Sequence, residues 1–402
     1  MIKTSRQLEL VAKMAELGPV FERRASDYDR DASFPYENFD DLAAAGFLKL
    51  CIPERFGGLG ADFATYALVS EELGRHCGST ALTFNMHTAT CLLTGPIADA
   101  LELSPDDRAW LDDKRSVMFA DICENGTIHA QPFSEGLSAG ATTGIATTAT
   151  PVEGGYRVNG RKIFASLSEA AGMHNAIVVV PGDDRVRFMG IPGDAEGLSI
   201  VGDWDPLGMR GTVSKTLIFD DVFVPAANEW LPPGMFDQMA EQFPYFYMTL
   251  SFAYLGIMQA TIDFTRDYLR GDGTSSARAE HPQKQALWAQ MNLRHQQAQA
   301  LTYRVLEEAG ACPTREQIHR AWAAMVTTME GAPEIASMAM RACGGRSLLR
   351  PLPLERLFRD ARCGATMLPW SVEVCLDRLG QYALVGDPDA ADTKAGHAAV
   401  HS

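Results

Sequence analysis

Two serines stand where this chain could present hydroxyls to a flat polar ligand. Ser134 lies in Phe133-Ser134-Glu135-Gly136 and Ser166 closes Lys162-Ile163-Phe164-Ala165-Ser166, both within residues 130–168. Between them, Val152-Glu153, Gly154-Gly155 and Tyr156 to Gly160 have the pattern of a β-hairpin, with the glycine pair as its two-residue turn. The stretch can be read as a β wall that offers hydroxyl and backbone donors to a flat cofactor, its first half ending a strand at Phe133–Gly136. On these residues alone the plainer reading stands ahead: a surface hairpin with solvated serines.

Other chemistry is excluded more readily. Gly136-Leu137-Ser138-Ala139-Gly140 matches a nucleophile elbow, but Ala141 to Thr148 reads as strand where an elbow needs a helix. Gly57-Gly58-Leu59-Gly60 lacks the βαβ frame of a dinucleotide site. There is no HExxH, no Walker loop, and no zinc spacing among the eight cysteines (51, 77, 91, 123, 312, 343, 363, 375), so no metal site is expected. A formal net charge of −16 disfavours a general nucleic-acid or anionic-membrane binder. With no signal-peptide pattern and no uncharged apolar run of about 18 residues, a cytoplasmic protein is expected.

The elements that must position the two serines fall into three blocks. Residues 1–115 read as helical: Leu8, Val11 and Ala15 recur at helical spacing up to a stop at Gly18-Pro19, followed by helices over Tyr36–Ala45, Ala64–Gly74 and Leu82–Leu93. From 116 to 233, β-branched runs and turn dipeptides predict an antiparallel β domain, beginning with Val117-Met118-Phe119-Ala120. Residues 234–385 carry long amphipathic stripes, one through Leu250, Tyr254, Ile257 and Phe264, another through Leu287, Met291, Ala298 and Val305. A third opens on a capping box at Thr314–Gln317 and runs through Ile318, Trp322, Met325 and Met329. The tail, 386–402, is small and polar and is expected to be disordered. The expected class is therefore an α+β multidomain protein: helical domain, central β domain, helical bundle.

Four stretches in this order resemble the acyl-CoA dehydrogenase superfamily: Ile52-Pro53-Glu54-Arg55-Phe56-Gly57-Gly58-Leu59-Gly60, Leu207–Thr212, Phe219–Pro225 and Leu354–Arg362. The resemblance spans about residues 6–385 and implies FAD. It implies that Phe133, Ser134 and the following backbone meet the flavin ring, that Phe164 lies along it, and that Ala165-Ser166 brings a hydroxyl donor near N5. It further implies that a neighbouring subunit completes the site with Arg270, Gln283 and the Cys343-Gly344-Gly345 turn, with Arg346 as an extra cation. That arrangement means a homo-oligomer, commonly a homotetramer built as a dimer of dimers. The Arg270 match is loose, because Gly271 to Glu280 lacks the family's Arg-x-x-Phe-Gly wording.

Departures from the family fall on the reacting residues. Dehydrogenases of this kind remove an α-proton from an acyl thioester with a glutamate. Eight residues past Asp360, that position is Leu368; the alternative position on the first long bundle helix is Phe246. Leucine and phenylalanine cannot accept a proton. The thioester-binding Asp-x-x-Arg would fall near Pro244 and Tyr247, and the usual loop serine at Gly140. Weak substitutes for the base are Glu373, His87 and Tyr245.

Three functions remain. Family frequency leads with a FAD-dependent acyl-CoA dehydrogenase having a relocated or missing base, acting on a small-molecule acyl-CoA with an electron-transfer partner. The first alternative is a flavin-dependent monooxygenase of the same fold, needing no α-proton base and served by a flavin reductase; Pro369 resembles the His-x-Pro wording of some monooxygenases. The second is a non-catalytic subunit of a hetero-oligomeric dehydrogenase.

Overall fold

The computed structural model describes residues 2–136, 144–271 and 278–386. Leu137–Gly140 of the rejected elbow, the Gly140 loop position, residues 272–277 and the tail from Asp387 lie outside the described residues.

The N-terminal helices are α1 (Ser5–Asp31), α2 (Tyr36–Ala44), α3 (Phe63–His76), α4 (Gly78–Leu92), the single turn α5 (Ala98–Ala100) and α6 (Pro105–Asn125). Thr4 and Gln7 form a capping box that opens α1. The expected stop at Gly18-Pro19 does not occur, and α1 runs through both residues. Leu10 and Met14 before the proline and Phe21, Ala25 and Tyr28 after it bury one continuous face. At about 1.5–3 kcal/mol per large buried side chain, that face outweighs the roughly 3 kcal/mol of an interior proline.

The expected strand at Val117–Ala120 is also overturned. It lies inside α6, whose buried residues Leu111, Arg115, Met118, Phe119 and Ile122 follow the helical period. Ser104 accepts the Asp107 N–H as N-cap and Pro105 takes the first turn, so the local start signal is a helix signal. Strands begin only at His129.

The sheet comprises β1 (His129–Ala130), β2 (Thr148–Val152), β3 (Gly155–Ala165), β4 (Met173–Val180), β5 (Asp183–Pro192), β6 (Leu198–Val201) and β7 (Lys215–Pro225). Its order is β1-β4-β2-β3-β7-β6, with β5 on β4. Mostly antiparallel, it is nonetheless mixed, since β1 and β2 run parallel to β4. The β2–β3 hairpin turns at Glu153-Gly154, one residue earlier than expected, because Gly155 already pairs with Val152. Gly154 takes the positive φ (78°) such a turn needs. Phe133–Gly136 is not the end of a strand: β1 stops at Ala130, and the next six residues are irregular.

The C-terminal helices are α7 (Met235–Gln242), α8 (Ser251–Arg270), α9 (Pro282–Glu308), α10 (Arg315–Cys343), α11 (Leu354–Cys363) and α12 (Val372–Leu384). The capping box at Thr314 and Gln317 forms as expected, and Trp322, Met325 and Met329 face the core. Gly208 locks the sheet region to α11: a Cβ there would lie 2.4 Å from the Arg359 carbonyl oxygen. Only glycine permits that approach, and it brings the Leu207–Thr212 and Leu354–Arg362 stretches into contact.

Candidate functional site

Ser134 is fixed by a buried ion pair rather than by strand pairing. Lys162, on β3 with its side chain fully buried, bonds to Glu135 and donates to the Ile177 carbonyl at 2.8 Å and the Phe133 carbonyl at 3.4 Å. Burial pulls the Lys162 ammonium down to about 8, against the raising pull of Glu135. Burial alone would raise Glu135, but the Lys162 charge and its hydrogen bonds hold it below the usual range. Glu135 also accepts the Ala146 and Thr147 backbone N–H groups, and the Ser134 carbonyl accepts the Ile163 N–H at 2.7 Å. Phe133 packs edge-on against Phe188 and Phe236. Through Ile163, the structure joins Ser134 to the Phe164–Ser166 segment.

That segment turns sharply at the end of β3. Phe164 has φ 50° and Leu167 φ 68°, a region costing a non-glycine residue about 1–2 kcal/mol. The Phe164 ring is 69% exposed while Ala165, next to it, is buried opposite Lys215. An exposed phenylalanine held in strained backbone beside a half-buried serine fits a flat ligand lying along the ring.

A row of hydroxyls backs Ser166. Ser166 Oγ lies 2.7 Å from Ser214 Oγ, which lies 2.8 Å from Thr212 Oγ1; Thr212 donates to the Met209 carbonyl at 2.9 Å. Ser214 and Thr212 are buried. The segment carrying them is anchored by the Met209 N–H, which donates to the buried carboxylate of Asp360 at 2.6 Å. Arg359 reinforces this with bonds to Asp29 (2.6 and 2.8 Å), Glu355 and the Leu207 carbonyl. Sequence reasoning missed Ser214, Thr212 and Lys162. The available signal was two hydroxyl residues two apart, Thr212 closing the Leu207–Thr212 motif and Ser214 following it.

The second expected group gathers at one end of the helical bundle. Arg270 ends α8, Gln283 lies in the first turn of α9, and Cys343 ends α10. Cys343 packs near Thr265, Lys284 and Arg278, and burial pushes its thiol up to about 11. Gly344 and Gly345 are open, with nothing within 4 Å of an added Cβ, so backbone could approach a ligand there. These residues lie on the bundle, whereas Phe164 lies on β3 and Ser134 and Ser166 lie in the irregular segments beside that strand.

The two base positions hold apolar side chains of opposite exposure. Leu368 is 53% exposed, and Phe246 is buried. Phe246 touches Tyr247 (centroids 5.9 Å), Tyr247 touches Trp370 (5.9 Å) and Trp370 touches Trp322 (6.1 Å), a continuous aromatic wall. None of the three substitute bases is well placed. His87 is fully buried: its Nε2 bonds the Leu48 carbonyl at 2.7 Å and its Nδ1 accepts the His129 N–H at 3.0 Å. Both ring nitrogens are used, and burial pulls its pKa down to about 4. Tyr245 is buried among Phe63 and Phe243 with no hydrogen-bond partner for its hydroxyl, and burial pushes it up to about 12. Glu373 is exposed in the first turn of α12, where a carboxylate favours the helix dipole.

A helical block, a β block and a helical bundle follow one another along the chain, with the row of hydroxyls at the end of β3 and just before β7. Family models for the acyl-CoA dehydrogenase N-terminal, middle and C-terminal domains match residues 7–100, 133–222 and 236–368. The chain belongs to the acyl-CoA dehydrogenase family. It is 28% identical over 358 residues to the mitochondrial short-chain specific acyl-CoA dehydrogenase of Mus musculus, covering 86% of this chain and 81% of that one. It is 26% identical over 404 residues to the L-evernosamine nitrososynthase of a Micromonospora species, covering 94% and 91%. The solved dibenzothiophene monooxygenase TdsC of Paenibacillus sp. A11-2 shares the fold, with TM-score 0.79, 23% identity and coverage of 94% and 98%.

Proposed function

We propose that this chain is a flavin-dependent monooxygenase on the acyl-CoA dehydrogenase fold, using reduced FAD and molecular oxygen on a small-molecule substrate. The observation that carries the reading is the pair Leu368 and Phe246, apolar at both positions where the family keeps its base. Removing an α-proton needs a base within hydrogen-bond reach, and oxygenation at a reduced flavin does not. Identity to the mouse dehydrogenase and to the nitrososynthase is of the same order, so sequence similarity does not choose between them. The names of the nitrososynthase and of the dibenzothiophene monooxygenase support oxygenation on this scaffold.

In this reading Ser134, Phe164, Ala165 and Ser166 hold the isoalloxazine ring. Arg270, Gln283, Cys343, Gly344 and Gly345 of a neighbouring copy hold the dinucleotide half, which requires a homo-oligomer; the family resemblance makes it a dimer of dimers. When bound, the flavin supplies two-electron reduction and, reduced, reaction with oxygen. The chain's own part is to present Phe164 to the ring, fix hydroxyls at its edge through Ser214 and Thr212, and exclude water with the Phe246–Tyr247–Trp370 wall. Reduced flavin comes from a partner reductase in the cytoplasm. No helix among the described residues is long and apolar enough to cross a membrane.

The test is a stopped-flow experiment in which the flavin-loaded protein, reduced under argon, is mixed with aerated buffer. Reoxidation within seconds is expected. A reduced spectrum that persists for many minutes in air would remove the monooxygenase reading.

A further inference from the structure

Gly18 does not end α1; it makes room for a histidine. A Cβ at Gly18 would lie 2.3 Å from Nε2 of His76, the last residue of α3. The distances to Cε1 and Cδ2, 2.4 and 2.5 Å, are nearly equal, so the ring face lies on the helix. Its Nε2 is 3.0 Å from Glu72 of α3 and its Nδ1 4.0 Å from Glu22 of α1. A neutral imidazole has one N–H and turns a lone pair toward the other carboxylate; only imidazolium offers a donor to both. Burial pulls the His76 pKa down, but Glu22 and Glu72 outweigh it and hold it above the usual range, against the opposing charge of Arg75. Arg75 is itself tied to Asp263 of α8 at 2.7 Å, and Arg356 of α11 adds positive charge beside Glu22.

We propose that His76 is a pH-sensitive clasp between α1 and α3 that sets how firmly segment 209–214 is held. Gly18, Glu22, Ala25 and Asp29 follow one another at helical spacing and share one face of α1. Asp29, beyond Glu22 on that face, takes two Arg359 bonds through its carboxylate and the Arg210 Nε–H at 2.7 Å through its carbonyl. Arg210 opens the turn that carries Thr212, and Ser214 follows it. A raised pKa means that the folded protein holds the His76 proton more tightly than the unfolded chain does. The clasp is therefore closed below the unfolded-state value and opens as pH rises through the folded one. Deprotonation turns a lone pair toward Glu22 or Glu72, and α1 loses a tie to α3 while Arg210 loses part of its support. The clasp acts on the segment whatever ligand the site takes.

The test is hydrogen exchange on the full-length protein, comparing wild type, His76→Gln and Glu22→Gln at the same pH so that intrinsic rates cancel. At about pH 6, peptides spanning 15–31 and 205–214 are expected to exchange roughly two- to fivefold more slowly in the wild type than in either variant, the worth of one part-exposed ion pair. By about pH 9 the three proteins should match, because the wild-type imidazole is then neutral. The Glu22 side chain is 60% exposed, so Glu22→Gln keeps the test open if His76→Gln fails to fold. A ratio of wild type to variant that stays constant from about pH 6 to about pH 9 overturns the clasp. Protection that changes with pH in 15–31 but not in 205–214 overturns its reach to the segment, and the proposal with it.

Discussion

Asp360 and Met209 meet across 151 positions of sequence, the Met209 N–H donating to Asp360 Oδ1 at 2.6 Å. This bond holds the segment that carries Thr212 and Ser214, and through them Ser166. Burial pushes the Asp360 carboxyl up to about 6, only partly offset by Arg356 and by the Met209 N–H.

Stability should therefore depend on pH through Asp360, with a definite sign. Between its unfolded value and about 6, the folded protein holds the proton more tightly than the unfolded chain. Its contribution is present at low pH and lost as pH rises through that window. Asp360→Asn keeps the acceptor and cannot ionise. Its stability relative to wild type should rise between about pH 4 and about pH 7, on the order of 1–3 kcal/mol in urea unfolding. A flat difference would mean Asp360 is not desolvated. Asp360→Ala strands the Met209 N–H and should cost about 1–3 kcal/mol at either pH.

Lys162→Met should be among the most damaging single changes, because it leaves Glu135 buried without its cation. A loss of about 3–5 kcal/mol is expected. Adding Glu135→Leu should restore much of the stability, but not flavin affinity, since Phe133 and Ser134 lose their anchor. Calorimetry and flavin titration separate the two, and recovery of both would show that the pair has no part in placing Ser134.

The block order, the bundle stripes and the Thr314 capping box were legible in the sequence because each rests on local periodicity or a local hydrogen bond. Long-range packing hid the rest. Pro19 is overruled by a face buried on both its sides, and Val117–Ala120 is claimed by the helix that Ser104-Pro105 starts. In the proposed site, Ser134, Phe164 and Ser166 were named from the family resemblance, which attaches to short local stretches. The hydroxyls behind Ser166 and the lysine behind Ser134 act across folded contacts, which spacing alone does not reveal.

His87 is a structural residue in this account. His87→Ala should lower stability by about 1–3 kcal/mol through the orphaned His129 N–H and Leu48 carbonyl. Because its imidazole stays neutral down to about 4, the variant should leave unchanged any activity transition between about pH 5 and about pH 8. Disappearance of such a transition would make His87 a reacting group.

Gly345→Val tests the dinucleotide half. A Cβ added at Gly345 has open space around it, with nothing beyond its chain neighbours within 4 Å, so folding and thermal stability should be little changed. If the pyrophosphate of FAD rests on this turn, FAD should bind at least tenfold more weakly, roughly the loss of one charge-assisted contact, while FMN binding is unaffected. Equal effects on FAD and FMN would place the dinucleotide elsewhere.

The central claim is that no group here removes an α-proton. Flavin-loaded protein is mixed under argon with a panel of acyl-CoA thioesters of increasing chain length, and the flavin absorbance is followed. The account predicts no bleaching with any thioester, in the wild type and in Glu373→Gln alike. Rapid bleaching by an acyl-CoA in the wild type, abolished in Glu373→Gln, would contradict it and make the chain a dehydrogenase with its base on α12.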